Sequence, residues 1–193
     1  MRCLARKKAK AKVWYEIIAP KVFNEMVIGK TMASDPELLI GRRITVSLME
    51  LTNNFSKYYM KFTFKIIKVE GDKAFTRFDG SECLRDYISR MVLRRVRRID
   101  TIQDLTTKDG IKIRVKCITI TSRKMRTNTE KIMRKKIQEL VKEEVENSTL
   151  DEVVLKIVND GIKQKVLKEA RKIYPVRNFE VRKTEVLQQA KAQ

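Results

Sequence analysis

Along residues 43–52, Ile44, Val46 and Leu48 alternate with Thr45, Ser47 and Met49. Along residues 59–69, Met60, Phe62, Phe64 and Ile66 alternate with Lys61, Thr63 and Lys65. A period of two places one set of side chains on each face of a strand, so both stretches are predicted to be half-buried strands. Gly71-Asp72 predicts a turn into a third strand over residues 73–78. Asp109-Gly110 predicts the tip of a hairpin joining residues 101–106 to residues 111–122. In the second arm of that hairpin Ile111, Ile113, Val115 and Cys117 share one face, and Lys112, Arg114 and Lys116 the other.

Before the hairpin the spacing predicts a helix with Ser81 as its N-cap, Glu82 in its first turn, and Leu84, Ile88, Met91 and Val92 buried. After Ser122 the period lengthens to about 3.6. Thr127 with Glu130, and Thr149 with Glu152, each have the spacing of a capping box, in which side chains at the two positions satisfy each other's backbone N–H groups. They head the apolar series Met133, Ile137, Leu140, Val141, Val145 and then Val153, Val154, Ile157. A third helix after Gly161 buries Ile162, Val166, Ala170 and Ile173 before Pro175, and Phe179 and Val181 alternate with Glu180 and Arg182 in a closing strand. The fold class expected is α+β: a β-barrel-like body with a helix inserted before a hairpin, then a helical part and a last strand. The expected boundaries are a basic arm at 1–12, a β-rich part at 13–125, helices at 126–187 and a frayed tail at 188–193. Trp14, in the apolar run that opens the folded part, is expected to serve packing.

Charge changes the picture more than any motif. The 193 residues carry 44 Lys and Arg against 24 Asp and Glu, a net charge of +20, and no histidine. So cationic a surface repels itself unless a polyanion neutralises it, and each phosphate it neutralises releases counterions. Nucleic acid is therefore the partner class indicated. The hydrophobic share of 42% is enough to fill a core, so this is not a disordered basic tail. Three widely spaced cysteines, Cys3, Cys83 and Cys117, suggest a reducing compartment without a disulfide framework. The basic opening MRCLARKKAKAKVW superficially resembles an import signal, but Glu16 interrupts the hydrophobic run. No stretch approaches the ~18 apolar residues of a membrane span, and no membrane partner is expected.

The candidate RNA contacts follow the clusters. Arg6, Lys7, Lys8, Lys10 and Lys12 form the arm, and Arg42 and Arg43 precede the first alternating strand. Arg94, Arg95, Arg97 and Arg98 are predicted at the end of the inserted helix, where cations suit the helix dipole but four of them exceed that need. Arg123, Lys124 and Arg126, among Thr121, Ser122, Thr127 and Asn128, combine cations and hydroxyls at a predicted helix start, and Arg134 and Lys135 extend them. Trp14, Tyr58 and Tyr59 could stack on unpaired bases.

Tests for chemistry are negative. Gly29-Lys30-Thr31 imitates the end of a P-loop, yet Asn24 stands where the first glycine would be. Without histidine, three scattered cysteines do not make a zinc site, and histidine-dependent catalysis is excluded. Asp79, Glu82 and Asp86 could form a carboxylate metal nuclease, but they read more simply as helix N-terminal acids. No catalytic residue, metal or cofactor is expected.

Trp14-Tyr15, Ala19-Pro20 with Phe23, Gly29-Lys30-Thr31, Gly41-Arg42, Val46-Ser47-Leu48 with Leu51, Arg85-Asp86, Thr107-Lys108-Asp109-Gly110, Arg114, Ile173-Tyr174-Pro175 and Val181-Arg182-Lys183 occur in that order. In this the chain resembles the small-subunit ribosomal protein family of archaea and eukaryotes called S one-e, or S three-a-e, over nearly its whole length. Absence of a long C-terminal extension makes it similar to the archaeal form. Cys83-Leu84 departs from the family's usual apolar-threonine pair, and the arm is shorter.

The resemblance implies a cytoplasmic, non-enzymatic protein on the platform of the small subunit, near the mRNA exit and the 3′ end of the small-subunit RNA. Its implied partners are that rRNA and neighbouring ribosomal proteins, with direct contact to mRNA left open. Arg42, Arg85, Arg114, Lys124 and Arg182 are the basic positions that match the family. The alternative is a free single-stranded RNA-binding translational regulator.

Overall fold

The computed structural model describes residues 11–188. Arg6, Lys7, Lys8 and Lys10, with the rest of the arm as far as residue 10 and the tail from residue 189, lie outside the described residues. The chain divides into two compact units. One comprises the residues up to Val46 with Thr63–Phe78, and the other Ser47–Phe62 with everything from Asp79 onward.

In the first unit β1 (Val13–Ile18) pairs antiparallel with β2 (Val27–Ala33) and parallel with the start of β5 (Lys73–Cys83), Glu16 lying opposite Lys73. β3 (Arg43–Ser47) pairs with β4 (Met60–Glu70), which pairs with β5 across the Gly71-Asp72 turn. Tyr15, Ala33, Leu39, Ile66 and Ala74 pack together, with Ile44 and Val69 against them. Phe64 meets Phe23 and Phe78 edge-on at 5.8 and 6.5 Å. Gly29-Lys30-Thr31 sits within β2, where Lys30 pairs with Glu16 at 3.1 Å, so this stretch is a strand and not a phosphate loop. Trp14 is 59% exposed on β1, contrary to the packing role expected of it, because alternation buries its neighbour Tyr15 instead.

In the second unit the end of β5 pairs with β8 (Val176–Gln188), β8 with β7 (Lys112–Thr121), and β7 with β6 (Arg98–Thr106), all antiparallel. The hairpin of β6 and β7 closes through Thr107 and Gly110, whose φ of 74° suits only a residue without Cβ strain. β7 alternates at first and is then buried on both faces from Cys117 to Thr121. Helix α1 (Leu48–Thr52) occupies the second half of the stretch predicted as strand: Leu48 and Leu51, three apart, are both buried. Helix α2 (Arg85–Met91) starts later than predicted. Ser81 is not its cap, because the Ser81 N–H and hydroxyl are engaged by the Thr184 hydroxyl of β8 at 3.0 and 2.8 Å. Only Ile88 of the four predicted residues is buried, and Val92 is exposed.

Three longer helices follow: α3 (Thr127–Glu146), α4 (Leu150–Val158) and α5 (Gly161–Ile173). α3 packs on β6 and α5, and α5 on β8 and α4. The Thr149–Glu152 capping box forms, whereas the one predicted at Thr127 does not, since Arg126 is the N-cap and Glu130 turns inward. Glu180, predicted on a polar face of β8, is buried because that face is covered too: its carboxylate accepts from the Tyr87 hydroxyl and pairs with Lys163 of α5. The class is α+β, with the three longer helices gathered after β7. Strand pairing follows the path β2-β1-β5-β8-β7-β6. β4 joins this path at β5 and β3 joins at β4, giving an open mixed sheet of eight strands.

Candidate nucleic-acid interface

A cationic concavity lies in the second unit, where α2 borders the strands β5, β8, β7 and β6. Arg85 is the first residue of α2, Arg98 opens β6, Lys116 lies on β7, and Arg182 and Lys183 are consecutive on β8. Together with Glu82, Cys83, Ile88 and Ser89 they line a cleft of about 520 Å³. Register explains the convergence. Lys183 sits directly opposite Lys116 across the β7–β8 ladder and opposite Glu82 across the β5–β8 ladder.

Like charges facing each other across a ladder destabilise it. Glu185 offsets this by accepting from Lys183 at 2.9 Å and from Lys116 at 3.0 Å, while Glu82 is 3.7 Å from Lys183. The hydrogen bonds from Lys183 and then Lys116 hold the Glu185 carboxyl below the usual carboxylate range, and Glu185 in turn raises the Lys183 ammonium. Arg98 is paired with Asp100 at 2.8 Å. Among the described residues neither Arg85 nor Arg182 has an acidic partner, so the cleft keeps uncompensated cations. The rim thiol Cys83 donates to the Val181 carbonyl and is pushed up to about 12 by burial, as is Cys117, which makes both inert at neutral pH.

The other candidates separate into tied and untied side chains. Arg42 is tied within the first unit, donating to the Leu38 and Met32 carbonyls and the Thr31 hydroxyl. Arg114 forms two parallel bonds to Asp104 at 2.6 and 2.7 Å, an arrangement that lowers the Asp104 carboxyl and raises the guanidinium. Arg97 and Arg134 both donate to the buried Glu130, at 2.7 and 2.9 Å. These arginines serve the fold at least in part. By contrast Arg94 and Arg95 occupy an exposed turn between α2 and β6, not the last turn of the helix as predicted, so the dipole does not account for them.

Arg123, Lys124 and Arg126 lie exposed in the link from β7 to α3. Its backbone is pinned where Thr121 Oγ1 donates to the Arg123 carbonyl at 2.7 Å and the Tyr174 hydroxyl to that of Lys124 at 2.9 Å. None of these five residues, nor Lys135 on α3, nor Lys12 before β1, has an acidic partner among the described residues. Arg43, at the start of β3, is exposed. The sequence reading missed Lys116 and Lys183, although the alternation that put Lys116 on a polar face was itself the available signal. No group of three or more Cys, Asp or Glu among the described residues could hold a metal ion, so Asp79, Glu82 and Asp86 make no such centre.

The model of the ribosomal S3Ae family matches residues 4–190. The chain belongs to that family. It is a family of ribosomal proteins rather than of enzymes. Relatives named small ribosomal subunit protein eS1 include one from Desulfurococcus amylolyticus, 40% identical over 186 residues, covering 96% of this chain and 87% of the relative. One from Methanothrix thermoacetophila is 41% identical over 93% of this chain and 85% of its own length. Another, from Methanopyrus kandleri, is 36% identical over 96% and 90%. The family match spans both units, so it covers the Arg85–Arg182 cleft as well as the arginine turn. No helix among the described residues is long and apolar enough to cross a membrane.

Proposed function

We propose that this chain is a structural constituent of the small ribosomal subunit in the cytoplasm, binding rRNA on the platform near the mRNA exit and the 3′ end of the small-subunit RNA. The observation that carries this reading is the set of exposed cations with no acidic partner, above all Arg94 and Arg95, in a chain of net charge +20. A folded protein gains nothing from leaving guanidinium groups unpaired side by side, whereas an RNA backbone supplies their counter-charge. The relatives' names support the subunit assignment, and the platform placement rests on the family resemblance. The mechanism is scaffolding: cations let phosphate backbones approach one another, and the folded protein fixes their relative positions.

The test is the double variant Arg94→Glu/Arg95→Glu. Because both side chains lie in an exposed turn, the melting temperature of the isolated protein is expected to stay unchanged. Sedimentation of the tagged variant from lysate should show reduced co-migration with small subunits at elevated salt. Undiminished incorporation under those conditions would refute this placement of contacts.

A further inference from the structure

A second depression of about 320 Å³ opens in the second unit, lined by Tyr58, Tyr87, Arg90, Met91, Arg177 and Asn178. No carboxylate lines it. Arg90, on α2, and Arg177, on β8, are exposed and have no acidic partner among the described residues. The aromatic side is ordered in layers: Tyr87 stacks on the buried Tyr59 with ring centres 3.8 Å apart and planes 11° apart, and Tyr58 meets Tyr59 edge-on at 6.0 Å. Tyr58 is nonetheless 49% exposed.

The Tyr87 ring is held from behind, because its hydroxyl donates to Glu180 at 2.9 Å and Lys163 pairs with the same carboxylate. Asn178 is also occupied, its amide donating to the Met91 sulfur and its carbonyl accepting from the Phe179 N–H. What the depression offers a ligand is therefore aromatic surface and two guanidinium groups. Its size is at the lower end of the roughly 300–1,000 Å³ usual for small-ligand pockets.

We propose that this depression receives one unpaired nucleotide of RNA, its base stacked against Tyr58 and Tyr87 and its phosphates held by Arg90 and Arg177. The proposal rests on the RNA-binding reading above and adds a subsite to it. A base has a π-face for the rings and a phosphate for the cations. A small anion would leave the rings uncovered, and an aliphatic group would leave the arginines without counter-charge. A duplex keeps its base faces stacked inside and has nothing to place here.

Two RNAs distinguish the idea from simple charge attraction: a single-stranded oligoribonucleotide of about ten residues and a blunt duplex with the same number of phosphates, titrated into the full chain at matched ionic strength. Tyr58→Ala should weaken single-strand binding by about 5- to 160-fold, the range of one base-stacking contact. Duplex affinity should not change. Tyr58→Phe, which keeps the ring, should retain binding, and Arg90→Gln with Arg177→Gln should reduce the salt dependence for the single strand only. Equal losses on both RNAs, or full single-strand affinity in Tyr58→Ala, would overturn the subsite while leaving the RNA-binding reading in place. If the unaltered chain bound neither RNA, that broader reading would fall and the subsite with it.

Discussion

A Cβ at Gly80 would stand 2.4 Å from the Thr184 carbonyl oxygen, closer than any real contact, because β5 and β8 approach each other there with Gly80 opposite Glu185. The oxygen belongs to backbone and has little room to yield. Gly80→Ala is accordingly expected to destabilise the protein by about 1–3 kcal/mol, read as a lower denaturant midpoint with an unchanged m-value. A midpoint equal to that of the unaltered chain would show that the strands can part at no cost. Nothing in the sequence around Gly80 announced this contact, since its other half lies more than a hundred residues away. Glu130 is similar: as a local pattern it looked like half of a capping box, yet its carboxylate is buried and shared between Arg134 of the same helix and the distant Arg97, in the link before β6. Residues whose partners are three or four positions away could be assigned from sequence, and residues whose partners are distant could not.

The same rule separates the elements. The Thr149–Glu152 box was correctly foreseen because both halves lie in one turn of α4, and the β6–β7 hairpin because its turn is four residues long. The extension of β5 through Cys83 was missed because only pairing with β8 makes it a strand. α1 was missed because five residues starting at Leu48 fit both a period of two and a period of three. Among the helices, Glu144 of α3 joins its neighbours by accepting from Lys156 of α4 and Lys165 of α5 at 2.6 and 2.5 Å. Those hydrogen bonds, Lys156 first, hold its carboxyl below the ordinary value of 4.5.

A carboxyl lowered by folding adds stability that is complete above its unfolded value and disappears as pH falls through the folded one. Stability should thus be level near neutrality and decline below 4.5. Glu144→Gln should cost roughly 1 kcal/mol at pH 7, discounted for the half-exposed lysines, and flatten the acid limb. Denaturant midpoints of both proteins from pH 3 to 7 provide the check. Parallel acid limbs would mean that this cluster contributes nothing.

For the chain as a unit, net charge was apparent from composition alone, and so was the class of partner. What composition could not reveal was which cations are spoken for. Arg42, Arg97, Arg98, Arg114 and Arg134 carry the same formal charge as Arg85 and Arg182, but each of the five already has a protein acceptor. Only the untied ones can exchange condensed counterions for phosphate without first breaking an internal bond. Arg85→Gln with Arg182→Gln should lower the slope of log affinity against log salt by about 2 for a structured rRNA fragment. Arg114→Gln should change that slope much less. The measurement is a binding series between about 50 and 200 mM salt, and equal slopes for all three proteins would remove the cleft from the RNA-facing surface.

β8 has a consequence for biosynthesis. It supplies the partner for both β5 and β7, yet it begins at Val176, roughly 55 residues after β7 ends at Thr121. At about 5–20 residues per second, a ribosome leaves those two strands with unsatisfied edges for several seconds while the intervening helices emerge. The nascent chain therefore spends that interval with the surface most prone to mispairing uncovered.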